Sequence, residues 1–193
     1  MNDLTKKVLH YAALLFLVAG FASGLLAFTY AATKDRIERQ KFLQQVQAVQ
    51  AAFPKATKTE YIKERPDLTT KAAAAVPIVQ KVFEIVVDGK REGFAFVVAP
   101  RGYGGPLNMV VGIDLTGAVT GLKVSDHRET PGLGAEVVQK ASFLRQFISR
   151  KPGDPVEIGK DIDAVSGSTI TSKALTAGVR GALDAFTEIG GGR

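Results

Sequence analysis

The densest run of oxygen-bearing side chains is Asp163-Ala-Val-Ser166-Gly167-Ser168-Thr169-Ile-Thr171-Ser172-Lys173. A glycine set among hydroxyls at the start of a helix offers unpaired backbone N–H groups and the positive end of a helix dipole. Together these suit a phosphate. The GxxxxGK[ST] spacing of a P-loop is absent, and the spacing reads equally as a Ser/Thr-rich cap on an amphipathic helix. A second stretch, Asp126-His127-Arg128-Glu129-Thr130-Pro131-Gly132-Leu133-Gly134, holds a rigid turn whose glycines let backbone approach a ligand. His127 and Glu129 are candidates there for acid–base work, or else solvated residues at a strand end. A third stretch, Arg101-Gly102-Tyr103-Gly104-Gly105-Pro106-Leu107, sets one aromatic among glycines. Tyr103 either stacks on a flat ligand or covers the core.

Composition narrows the chemistry. The 193 residues contain no Cys, which excludes a disulfide framework, a thiolate metal site and an iron–sulfur cluster ligated by this chain, and with only His10 and His127 a multi-histidine metal site or bis-histidine haem is not expected. Hard redox chemistry would therefore come from an organic cofactor. Net charge is +6, but the basic residues are dispersed, and no RNA-binding aromatic signature is present, so nucleic acid is not an expected partner. No metal ligand set is expected.

These loops need elements to hold them. Val8 to Thr33 is a run of 26 residues without Asp, Glu, Lys or Arg, long enough as a helix to cross the ~30 Å hydrocarbon layer. Tyr11 and Tyr30 sit near its ends, where interfacial rings belong. The run exceeds the apolar core of a signal peptide, and no clean small-x-small cleavage site precedes Lys34, so an uncleaved anchor is expected. Lys34, Arg36, Arg39 and Lys41 outnumber Lys6 and Lys7, which on the positive-inside rule points the bulk of the chain to the cytoplasm. Gly20 and Gly24 form a GxxxG spacing that admits a close helix neighbour, or is ordinary small-residue content.

Beyond the span, Ile37, Phe42, Val46, Val49 and Phe53 have helical spacing that Pro54 ends, and residues 57–77 are mixed, with a possible short strand near Glu60–Ile62. Residues 79–87 and 92–99 around Asp88-Gly89, then 107–114 and 118–125 around Thr116-Gly117, read as two hairpins. A four-stranded antiparallel meander with one face covered by helices follows. A short helix is expected over 141–149. A last helix over 171–187 carries Leu175, Val179, Ala182, Leu183 and Phe186 on one stripe and ends at Gly190-Gly191-Gly192. The fold class is α+β: residues 1–33 as anchor, 34–77 as juxtamembrane helix and connection, 78–193 as the ligand domain.

Taken together and in this order, the three loops resemble the FMN-binding domain of membrane redox pumps, above all the G subunits of the Rnf ferredoxin:NAD+ oxidoreductase complexes. The C subunits of the Na+-translocating NADH:quinone reductases are the second candidate. The family pattern Asp-x-x-Ser-Gly-Ala-Thr stands here as Asp163-Ala-Val-Ser166-Gly167-Ser168-Thr169, with Ser168 in place of Ala. The Glu129–Gly134 and Gly102–Pro106 stretches also look like family motifs. The resemblance implies one covalent FMN, joined to Thr169 through a phosphoester. Ser166, Gly167, Ser168, Thr171 and Lys173 would surround the phosphate, and Tyr103, Thr130 and Leu133 would flank the ring. It implies no catalytic acid or base and no complete active site in this chain alone.

By the same resemblance, Asp163 belongs to a sequence read by a flavin transferase that uses FAD and magnesium. The partners would be the other membrane subunits of an ion-translocating complex, including an iron–sulfur carrier and a second flavin subunit, with electrons relayed between them. The resemblance places the flavin domain outside the cytoplasm on a single-pass anchor in the cell (inner) membrane, against the charge count. A membrane-anchored, non-redox sensor domain of the same fold is the alternative from another class.

Overall fold

A computed structural model describes residues 3–192, and the side chains of residues 3–6 and 38 lie outside that description. Lys6 and Glu38, two of the charges flanking the apolar run, fall among the latter. The chain divides into two units, Met1–Leu43 and Gln44–Arg193.

Helix α1 runs Asp3–Ala52. Its side chains from Lys7 to Ala32 are all exposed, leaving a surface that is apolar and long enough to cross a membrane. From Gln44 onward the helix belongs to the second unit, where Val46, Ala48, Val49 and Ala52 are buried. Pro54 lies just past its end, as expected.

The second unit is built on strands β1 (Ile62–Glu64), β2 (Val79–Val87), β3 (Lys90–Val98), β4 (Asn108–Asp114) and β5 (Val119–Asp126). They form one antiparallel meander in the order β1-β2-β3-β4-β5. The β2–β3 turn uses Asp88 and Gly89 at φ 50° and 78°, the paired positive values that a two-residue hairpin requires. Helix α2 (Pro66–Ala75) lies in the stretch the sequence left irregular. Pro66 occupies the first turn, where its missing N–H costs nothing. Short helices α3 (Gly134–Val137) and α4 (Ala141–Leu144) follow β5, the latter running into a 3-10 turn over Arg145–Phe147. Helix α5 spans Thr169–Ile189, starting two residues earlier than its apolar stripe suggests, and Gly190 caps it at φ 73°.

Side chains alternate across the sheet. Val82, Phe94, Phe96, Val98, Met109, Val111 and Ile113 enter one core with Leu175, Val179 and Leu183 of α5. Phe83, Ile85, Ala95, Val97 and Val110 enter a second core with Ala48, Val49, Ala52 and Phe53. Helical residues thus cover both faces of the sheet, where the sequence suggested one. The reason is a cross-strand glycine pair, Gly112 opposite Gly121. A Cβ on either would run into the backbone of Ala52, so only glycine lets the end of α1 lie against the sheet. Thr120 Oγ1 then donates to the Ala52 carbonyl at 2.8 Å, satisfying one of the acceptors a helix end leaves open. The compact unit begins at Gln44.

Candidate functional site

Strand register brings the three loops together. Val98 pairs with Met109 and Asn108 with Asp126, so the 99–107 connection and the segment leaving β5 emerge at the same end of the sheet. The start of α5 joins them. Between them lies a cleft of about 410 Å³ lined by Tyr103, Glu129, Thr130, Leu133, Gly134 and residues 167–171, within the usual size range for small-molecule sites. Its apolar walls are unusually open to solvent: Tyr103 is 69%, Leu133 51% and Ile170 54% exposed. Such a cluster is what a flat apolar ligand would cover.

The floor of the cleft is the first turn of α5. Gly167 turns the chain at φ 77°, and Ser168 takes the N-cap position without a side-chain cap bond. The N–H groups of Thr169, Ile170 and Thr171 make no hydrogen bond with the described residues, while the Ser172 N–H reaches the Ser168 carbonyl at 2.9 Å. Three orphan donors and the positive end of a helix dipole worth about half a charge thus belong to residues that line the cleft.

The hydroxyls at this turn are not equivalent. Thr171 is buried and its Oγ1 donates to Glu129 Oε2 at 2.5 Å. Ser172 is buried, its Oγ donating to the Ser168 carbonyl at 3.0 Å and accepting from the Val165 N–H at 3.2 Å. Ser168 is buried as well. Thr169 is exposed on the cleft wall, and its hydroxyl makes no hydrogen bond with the described residues. Ser166 is also exposed, but it lines a neighbouring groove with Glu136, Gln139 and Lys140. Lys173 is exposed and is not among the cleft-lining residues.

Sequence reasoning missed the arrangement around Glu129. This carboxylate is 5% exposed. Oε1 accepts from the Gly104 N–H at 3.0 Å and Oε2 accepts from Thr171, so one side chain ties the Tyr103 arm, its own turn and α5 together. A Cβ on Gly102 or Gly134 would run into this carboxylate, and one on Gly104 into the backbone of Arg128. The glycines flanking Tyr103 thus make room for Glu129 and for the next loop. His127 points its Nδ1 at the Glu129 N–H (3.3 Å) and does not line the cleft. The local sequence carries no signal for it, because Glu129 sits in a polar turn and both of its partners lie far away in the chain.

The FMN-binding domain family matches residues 102–184, a span that holds every cleft-lining residue, and the RnfG N-terminal region family matches residues 1–51. The G subunit of the ion-translocating oxidoreductase complex of Aliivibrio fischeri is 30% identical over 189 residues, covering 93% of this chain and 89% of its own length. The chain belongs to the G-subunit family of ion-translocating oxidoreductase complexes. The G subunit of the Na+-translocating ferredoxin:NAD+ oxidoreductase complex of Acetobacterium woodii is 26% identical over 196 residues, covering 95% and 94% of the two chains. Among solved structures, the C subunit of the Na+-translocating NADH-quinone reductase from Parabacteroides distasonis is 27% identical over 62% of this chain and 66% of that one, with a TM-score of 0.47.

In this G-type chain the cleft fits FMN on its own chemistry. An aromatic ring system needs apolar walls, which Tyr103, Leu133 and Ile170 provide, and a phosphate needs unpaired donors, which the first turn of α5 provides.

Proposed function

We propose that this chain is an electron carrier within an Rnf-type complex, holding one FMN through a phosphoester to Thr169. The observation that carries this reading is the state of Thr169. Among the hydroxyls at residues 168–172, it is the exposed one, facing the cleft beside three unpartnered N–H groups. When bound, FMN supplies reversible one- and two-electron transfer. The protein's part is to hold and orient it. Thr169 Oγ1 is the point of attachment, the N–H groups of Thr169, Ile170 and Thr171 receive the phosphate charge, and Tyr103, Thr130 and Leu133 border the ring and limit its contact with water. Lys173, one turn into α5, is exposed and outside the cleft lining, so the backbone N–H groups rather than its ammonium receive the phosphate.

Helix α1 anchors the chain in the membrane. We place the flavin domain on the extracytoplasmic side, where a covalent bond prevents loss of the cofactor and where a flavin transferase would act on the Asp163–Thr169 segment. Its partners there are the complex's iron–sulfur carrier and second flavin protein. The ion path lies in those partners, since the 26-residue apolar span of this chain contains no carboxylate.

Thr169→Val tests attachment, because it keeps β-branching and volume while removing the oxygen. Wild-type protein is expected to exceed its sequence mass by one FMN less one water, to map that increment to Thr169, and to fluoresce as a flavin band on a denaturing gel. The valine variant is expected to lose all three and to insert normally. An increment retained in the variant puts the bond elsewhere.

A further inference from the structure

Glu129 is the buried acidic side chain of the cleft, and no Lys or Arg among the described residues is bonded to it. Its two oxygens are instead divided between donors from segments far apart in sequence: the Gly104 N–H, 25 residues before it, and the Thr171 hydroxyl, 42 residues after it. Both segments also carry cleft wall, Tyr103 on one and Thr169 with Ile170 on the other. The packing leaves no slack in this arrangement. Gly102 and Gly134 approach the carboxylate so closely that neither site has room for a methyl group.

Hydrogen bonds hold donor and acceptor within a narrow range of distance and angle, and a buried acceptor left without them is costly. Two of them on one rigid, buried side chain fix the distance between the segments that donate. We infer that Glu129 is the positioning residue of the flavin cleft: it clasps the Tyr103 arm to the first turn of α5 and so sets the gap and the tilt at which the ring is held. Thr171 is the other half of the clasp, and its hydroxyl is thereby withheld from the phosphate. This assignment rests on the flavin reading above for its ligand, and on the protein's own hydrogen bonds for its geometry.

The test uses full-length protein in detergent with its flavin attached. Thr171→Val is isosteric and leaves Glu129 in place, Glu129→Ala removes the clasp, and Thr171→Ser restores the hydroxyl. In the first two variants the FMN mass increment is expected to persist while the visible circular dichroism of the flavin weakens and its quenching by iodide rises several-fold. Thr171→Ser should return both signals toward wild type. Glu84→Gln, a destabilising change on β2, should leave both unchanged, which separates positioning from general loss of stability.

Amide exchange gives a readout independent of the flavin. Loss of a hydrogen bond to a carboxylate should speed exchange at the Gly104 N–H by at least about tenfold in Glu129→Ala. Wild-type flavin signals in Thr171→Val and Glu129→Ala would overturn the inference, as would a Gly104 amide still protected in Glu129→Ala. If wild-type protein carries no flavin increment, the flavin reading fails by itself, and the Gly104 amide alone decides whether the clasp exists.

Discussion

Gly134→Ala inverts an ordinary expectation. Gly134 is the first residue of α3, and its φ is not among the positive values of the chain. At such a site alanine normally stabilises by about 0.4–1 kcal/mol, because it restricts the unfolded chain. Here the new Cβ would lie 2.6 Å from Thr171 Oγ1 and 3.0 Å from Glu129 Cβ, and closer still to Glu129 Oε2. These neighbours are buried and bonded to each other, so they cannot swing aside. Overpacking costs about 1–3 kcal/mol, and displacing the carboxylate from Thr171 costs a further ~1.5–3 kcal/mol. Against the small entropic gain, the net loss is about 2–5 kcal/mol. For a folded unit of this size that is a fall in Tm of roughly 5–15 °C.

Thermal unfolding of the full chain in detergent, followed by circular dichroism, measures it. Gly132→Ala is the comparison, since Gly132 has φ 78° and open space around its Cβ position. It should lose only the ~1 kcal/mol of a left-handed alanine. A Gly134→Ala protein at or above the wild-type Tm would refute the packing argument, and with it the claim that Glu129 sits in a fixed cage.

Glu84 accepts from Arg65 at 2.7 Å and Arg91 at 2.6 Å. Burial pushes its carboxyl up, but the two guanidinium hydrogen bonds outweigh burial and hold it below the ordinary value of 4.5. A depressed carboxylate stabilises fully above that ordinary value and loses its contribution as pH falls through the folded one. Glu84→Gln should therefore cost about 1–3 kcal/mol near neutrality, and the gap from wild type should close in acid. Urea midpoints at both pH values check it, and a gap that does not change with pH refutes it. The chain has no native cysteine, so Lys90→Cys, exposed at the β2–β3 hairpin, reports topology alone. A membrane-impermeant maleimide should label it on intact spheroplasts; labelling only after lysis would place the domain in the cytoplasm, as the flanking charges suggest.

Much of the fold was legible because its signals are local. Apolar length marks the membrane-crossing part of α1, period-two alternation around Asp88-Gly89 and Thr116-Gly117 marks both hairpins, and a helical stripe marks α5. Each is written in contiguous residues, and the structure keeps the four hairpin strands within two residues of expectation. Helix α2 escaped because a short, weakly apolar run opened by Pro66 resembles a connection. The glycines at 112 and 121 escaped for another reason: nothing in either strand says that they face each other or that a helix end rests on them.

The candidate site divides along the same line. Its three loops, and the hydroxyl-rich start of α5, are apparent from composition and turn chemistry. That the loops meet depends on the register of β3, β4 and β5, and that Thr169 rather than Thr171 or Ser172 presents its hydroxyl to the cleft depends on which of them the fold buries and bonds. Glu129 shows the difference most sharply. In sequence it is one polar residue in a polar turn, equally suited to water. Its burial and its two bonds come from residues 25 and 42 positions away. Local periodicity carries no information about such distant partners; the closing of the sheet and the docking of α5 create them.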